Sequence, residues 1–239
     1  MCPHTLYPGI DFNGGFASEV LLPERVLWPV PEDVPAEAAA MMEPFGIAVH
    51  ASLEGSGVSG LNVLISGCGP IGLMNVAVAR ALGAARVIAV DVNGYRLRSA
   101  EGMGATHMIE PGRDNLVETV RRLCGGRGVD VAIDYSANAG ALDAIGEAMT
   151  PGGEIRLLGV AEGAVGVNLE RWVLKGLIVR GLHGRRLFES WERSTELLRS
   201  GRVDLAPLVS HRLPLQAAEE GFALALKGEA LKILFEPNG

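Results

Sequence analysis

Cysteine is scarce in this sequence. The three present, Cys2, Cys68 and Cys124, stand far apart and form no C-x-x-C pair. That spacing excludes a disulfide framework and a complete zinc knuckle, and makes a reducing, cytoplasmic compartment the expectation. Basic residues are in deficit as well, with 21 Lys and Arg against 28 Asp and Glu and a formal charge of −7, which argues against gripping a nucleic-acid backbone. The opening residues, MCPHTLYPGI, have neither the basic start nor the apolar run of a secretory signal. Charge is missing altogether between Glu54 and Arg80, and a run of that length could span a membrane. However, Gly67, Gly69, Pro70 and Gly72 fall in its middle and Asn62 and Asn75 lie within it. A buried parallel strand with its packed helix is therefore the better reading, and no membrane partner is expected.

What is abundant is glycine, at 32 residues, together with 48% hydrophobic side chains and only 5% aromatics. In a chain of 239 residues that composition fits an α/β protein with a sizeable core and many tight strand-to-helix turns. Its centre is LNVLISGCGPIGLMNVAVARALGAARVIAVD, Leu61 to Asp91. A strand leads into Gly67, Gly69 and Gly72, a helix starts at Pro70, and a second strand delivers Asp91, which is the dinucleotide-binding βαβ order. Gly67 permits the tight exit, Gly69 lets backbone approach a pyrophosphate, and Gly72 allows the helix to close on the strand. Asp91 follows at the spacing expected of a carboxylate that accepts ribose hydroxyls.

From Leu61 onward the alternation predicts parallel strands at 63–66, 86–90, 107–109, 129–135, 154–159 and 177–181, with helices between them: a doubly wound six-stranded sheet. Ahead of it, residues 14–23 (GGFASEVLLP) alternate in part and predict a strand of some other sheet. Two short helices follow, from Pro35 and from Glu43–Pro44. After the sixth strand, LFESWERSTELLRSG predicts a helix with Leu187, Trp191, Leu197 and Leu198 on one apolar side. A helix over 216–227 then precedes a last strand, 232–236, expected to join residues 14–22.

GGFASEVLLP, MEPFGIAVHA, GCGPIGLM, DVNGYRL, GVDVAIDYSA, GGEIRLLGV and GLHGRRLFESW together resemble, in this order, the zinc-containing medium-chain dehydrogenases, and within them the threonine-oxidising branch. The resemblance covers essentially the whole chain. It implies an NAD-binding Rossmann domain at 58–205, with 1–57 a remnant of a GroES-like catalytic lobe plus connecting helix and 206–239 a return to that lobe. The rest of the lobe, with most of its zinc ligands, has no counterpart here, so the expectation is a truncated relative that retains cofactor binding. Cys2 looks like the last of the family's four structural-zinc cysteines, and one ligand cannot close such a site.

By the same resemblance Glu43 is a proton relay or auxiliary zinc contact. Without it, Glu43 reads as an acid favoured by a helix N-terminus. His50, on the same helix face, reads as a packed histidine rather than a ligand. The cofactor contacts implied are Ile71, Asp91, Arg96, Leu158, Gly159, Val160, Leu182 and His183. The Asp91 carboxylate would repel a 2′-phosphate and favour NAD over NADP, while Arg96 and Arg98 keep NADP open. The implied reaction is oxidation of a secondary alcohol to a ketone, L-threonine to 2-amino-3-oxobutanoate, with a polyol or another amino alcohol as the alternative. A non-catalytic NAD-binding module is the competing reading of another class. The implied assembly is a homodimer or homotetramer through the sheet edge.

Overall fold

The computed structural model describes residues 4–237. They form two compact units, one running from Glu32 to Leu208 and the other built from residues up to Pro31 and from Val209 onward. The division therefore falls at Pro31/Glu32 rather than after residue 57, and the helices ahead of the glycine turn pack with the sheet.

In the larger unit α1 (Ala36–Ala40) and α2 (Met42–Leu53) come first. The βα alternation follows: β1 (Asn62–Ser66), α3 (Pro70–Ala81), β2 (Arg86–Val90), α4 (Gly94–Gly102), β3 (His107–Ile109), α5 (Leu116–Leu123), β4 (Val129–Asp134), α6 (Ala139–Ala148), β5 (Met149–Leu157), α7 (Leu169–Leu174), β6 (Ile178–Gly181) and α8 (Glu189–Arg199). All six strands pair in parallel in the order β3-β2-β1-β4-β5-β6. The order reverses between β1 and β4, the point at which doubly wound sheets open a crevice beyond their strand ends. Every residue of β1 is buried, as expected for a strand covered on both faces. One face is filled by Leu64, Ile88, Ile109, Val120, Ala132, Ile145 and Trp172. The strand β5 begins five residues earlier than its Glu154 start in the sequence reading, with a register shift between Val129 and Val131. Gly153 fits there because a Cβ would lie 3.0 Å from the Thr150 carbonyl oxygen and 3.1 Å from that of Asp130.

Four of the crossover helices start at an asparagine whose side chain accepts from the first-turn amides: Asn93, Asn115, Asn138 and Asn168. Each satisfies donors that the helix itself leaves open. Helix α8 buries Leu197 of the stripe read from the sequence together with Ser190, Ser194 and Thr195, and half-buries Trp191 and Leu198; Leu187 departs from it. Leu187 precedes the helix and is 53% exposed. The buried hydroxyls bond within their own helix, Ser194 Oγ to the Ser190 carbonyl at 2.7 Å and Thr195 Oγ1 to that of Trp191 at 2.8 Å, which removes the usual penalty for burying them.

Arg156, on β5, has no exposed surface. Its Nε donates to Glu154 Oε1 at 3.0 Å, Nη1 to the Ala51 carbonyl at 2.7 Å and Nη2 to the Gly57 carbonyl at 2.9 Å. Arg180 Nε on β6 adds a second bond to Glu154 Oε1, at 2.8 Å. The last turn of α2 is thereby capped by a cation carried on the sheet.

The smaller unit holds β7 (Val209–Pro214), α9 (Ala218–Leu226) and β8 (Lys232–Glu236). β8 pairs in parallel with β7, not with residues 14–22. Residues 14–23 contain no strand: their alternation is incomplete and they have no ladder partner among the described residues. Phe16, Phe222 and Phe235 meet with centroids 5.7–6.3 Å apart. A Cβ on Gly221 would reach 2.6 Å from Phe235 Cζ, so the aromatic ring seats on the bare glycine of α9.

Candidate functional site

The crevice is built first by the exit from β1. Gly67 takes φ 87°, where a side chain is strained. A Cβ on Gly72 would stand 1.9 Å from the Gly67 carbonyl oxygen, so hydrogen alone fits and α3 closes on the strand as the spacing predicts. Around Gly69 a Cβ would meet nothing within 4 Å: the space over its backbone is open. Pro70 occupies the first turn and, unlike the four asparagine-capped helices, α3 has no side-chain cap. Its free amides and positive dipole end, including the half-buried Ile71, face the open side.

Asp91, directly after β2, is 7% exposed. Its Oδ2 accepts from the Cys68 amide at 2.7 Å and its Oδ1 from the Asn93 amide at 2.8 Å, and Arg96 Nη1 stands 3.9 Å from Oδ2. The carboxylate thus ties the glycine turn to the start of α4. Each oxygen accepts one of these amides and keeps further capacity, since an ionised carboxylate offers about four acceptor sites. Arg96 Nε is buried without a hydrogen-bond partner. Cys68 is fully buried, and burial together with the Asp91 charge pushes its thiol up to about 12, so it is no nucleophile.

The third wall is organised by Asp134, to which the sequence reading assigned no role. Asp134, at the end of β4 and 1% exposed, accepts from Ser136 Oγ at 2.7 Å, from the Ser136 amide at 3.3 Å and from the Ala137 amide at 2.8 Å. The turn places Ala137 at φ 50°, a conformation held by that carboxylate. The Asp134 carbonyl receives the amides of Leu158 and Gly159 at 2.9 and 3.0 Å. Gly159 must be glycine, because its Cβ would lie 2.6 Å from the Ala137 nitrogen. The signal was present in DYSAN, where an acid two and three residues ahead of free amides reads as an Asx turn.

Val160 is 89% exposed. Leu182 donates its amide to the Leu157 carbonyl at 2.9 Å, and His183, next along, is exposed. Gly67, Gly69, Ile71, Gly72, Asp91, Arg96, Leu158, Gly159, Val160, Leu182 and His183 thus all lie at or just beyond the carboxyl ends of their strands. An uncapped helix, open space over Gly69 and an acid with spare acceptor capacity fit a dinucleotide.

Glu43, in the first turn of α2, is exposed and forms an ion pair with Arg185, whose guanidinium lies 5.3 Å over the Trp191 ring. His50 points its Nδ1 at the Gly184 carbonyl, 3.1 Å away, and its Nε2 at Glu54 Oε2, 3.2 Å away. Among the described residues no three Cys, His, Asp or Glu side chains converge to hold a metal ion. Cys2 lies outside them. The residues described do not fit zinc, and no zinc step is assigned to them. No helix among the described residues is long and apolar enough to cross a membrane.

A family profile described as "Zinc-binding dehydrogenase" matches residues 70–200. The L-threonine 3-dehydrogenase of Bacillus velezensis is 42% identical over 238 residues, spanning 99% of this chain and 69% of that protein. Among solved structures, the alcohol dehydrogenase of Thermus sp. ATN1 superposes with a TM-score of 0.88 at 30% identity, covering 95% of this chain and 67% of the other. An Escherichia coli alcohol dehydrogenase in complex with NADH gives 0.88 at 25% identity, over 97% and 68%.

Proposed function

This chain belongs to the zinc-binding dehydrogenase family, and from that premise we propose that it binds NAD across the crevice between β1 and β4 as the hydride acceptor for oxidation of a secondary alcohol, L-threonine being the substrate favoured. The observation that carries the reading is the contrast among the crossover helices: four are capped by asparagine and α3 alone among them is left open behind a glycine turn. The pyrophosphate would take the α3 amides. The adenosine ribose would donate its hydroxyls to Asp91, whose negative charge disfavours a 2′-phosphate. Leu158 to Val160 and Leu182 with His183 would line the path to the nicotinamide. The solved relative with bound NADH supports this cofactor. The 42% identity to a threonine dehydrogenase supports the substrate, a polyol or another amino alcohol being the alternative.

The reaction balances as secondary alcohol plus NAD⁺ to ketone plus NADH and a proton. Hydride leaves the carbinol carbon for the nicotinamide ring, and the hydroxyl proton leaves through an acceptor group, the role proposed for Glu43. The exposed β6 edge, with Ile178 and Val179 46% and 43% exposed, supports a homodimer formed edge to edge.

Calorimetric titration tests the cofactor reading. The chain should bind NAD more tightly than NADP. Asp91→Ala should weaken NAD by about tenfold, the scale of lost hydrogen bonds to a charged group, while narrowing the preference. Equal affinity for the two cofactors in the unaltered chain would refute the role given to Asp91. Ketone formation from L-threonine with NADH appearance, compared with a polyol, decides the substrate, and NAD binding without turnover of either would favour the binding-module reading.

A further inference from the structure

Helix α2 carries a stripe that the cofactor reading does not use. Glu43, Gly46, His50 and Glu54 follow one another at i, i+3, i+7 and i+11, the spacing of a single helix face, with Glu54 at the C-cap. Every member meets the segment that follows β6. Glu43 pairs with Arg185. A Cβ on Gly46 would lie 2.9 Å from Arg185 Cδ and 3.6 Å from Trp191 Cδ1. His50 Nδ1 donates to the Gly184 carbonyl at 3.1 Å, the only role open to a nitrogen facing a carbonyl oxygen. Glu54 Oε2 binds His50 Nε2 at 3.2 Å and Arg186 Nη2 at 2.8 Å. Burial alone would push the Glu54 carboxyl up, but the Arg186 charge and the His50 hydrogen bond hold it below the usual carboxylate range. The segment so gripped begins one residue after His183 and two after Leu182.

We propose that this stripe positions the nicotinamide end of the cofactor site: His50 and Glu54 fix Gly184 to Arg186 against α2 and thereby set where Leu182 and His183 stand. These are positioning residues, acting through backbone they do not share. The inference rests on the NAD reading above. It separates the two ends of the cofactor, because Asp91 and the α3 amides serve the adenosine and pyrophosphate portions while His50 and Glu54 serve only the other.

Titrating the chain with NADH and with ADP-ribose, which lacks the nicotinamide, tests it. In His50→Phe, which keeps a ring but loses both hydrogen bonds, and in the milder Glu54→Gln, NADH binding should weaken by about tenfold with ADP-ribose binding unchanged. Amide exchange at Gly184 to Glu189 should accelerate in both variants while that of β1 stays constant. Equal losses for the two ligands, no loss for either, or unchanged exchange in the segment would overturn the positioning role. An unaltered chain that binds ADP-ribose no more weakly than NADH would overturn it too, leaving the adenosine-end reading standing. Binding of neither would refute the cofactor reading itself.

Discussion

The side chains at Glu154 and Arg156 illustrate how much a buried residue depends on partners distant in sequence. Burial alone pushes the Glu154 carboxyl up, but the hydrogen bond and charge of Arg156, with help from Ser56 and Arg180, reverse the effect and hold it below its ordinary value. A carboxyl depressed in the folded state contributes stability that is present above its unfolded value and is lost as pH falls through the folded one. Glu154→Gln leaves Arg156 buried without its counter-charge and should cost about 3–5 kcal/mol at neutral pH. Because the variant has no carboxyl there to protonate, its deficit in urea midpoint relative to the unaltered chain should shrink in acid. A deficit constant with pH would refute the ionised pair. The need for glycine at Gly67 and Gly72 could be read from sequence because it is local and its spacing is set by one turn. Arg156 could not: the carbonyl it caps is 105 positions away, and an arginine inside GGEIRLLGV carries no mark of its partner.

At the level of elements, the six strands and the helices between them followed from glycine punctuation and apolar runs, because a parallel strand buried on both faces advertises itself by composition. β7 did not. Val209–Pro214 reads SHRLP after its valine, polar and ended by proline, and only pairing with β8 makes it a strand. The reverse held for residues 14–23, whose partial alternation promised a ladder that no neighbour among the described residues completes, since strand propensity expresses itself only through cross-strand packing. β6 was legible as a strand, and its open edge is where the proposed dimer can be tested. A charge on an edge opposes pairing with another chain. Val179→Lys should therefore convert a dimer seen by sedimentation velocity into a monomer while leaving NAD affinity intact. A monomeric unaltered chain, or a variant that remains dimeric, would place any interface elsewhere.

For the molecule as a whole, the two units are expected to differ in stability because they differ in construction. Among the described residues the larger has a six-stranded sheet with helices packed on it, and the smaller has a two-stranded sheet, β7–β8, with one α-helix. An isolated strand pair is marginal on its own, so the amides of β7 and β8 should exchange faster than those of β1, β4 and β5. Matching protection would mean that the smaller unit gains support beyond its own pairing. The division at Pro31/Glu32 escaped the sequence reading because nothing in WPVPEDVP distinguishes a boundary between units from a turn within one. The sheet unit also carries its own chemical clock. Cys68 lies sealed between β1 and α3 with its thiol held protonated at neutral pH. An alkylating reagent can reach that sulfur only when the glycine turn comes away from the core, so its labelling rate measures how often the cofactor cradle opens.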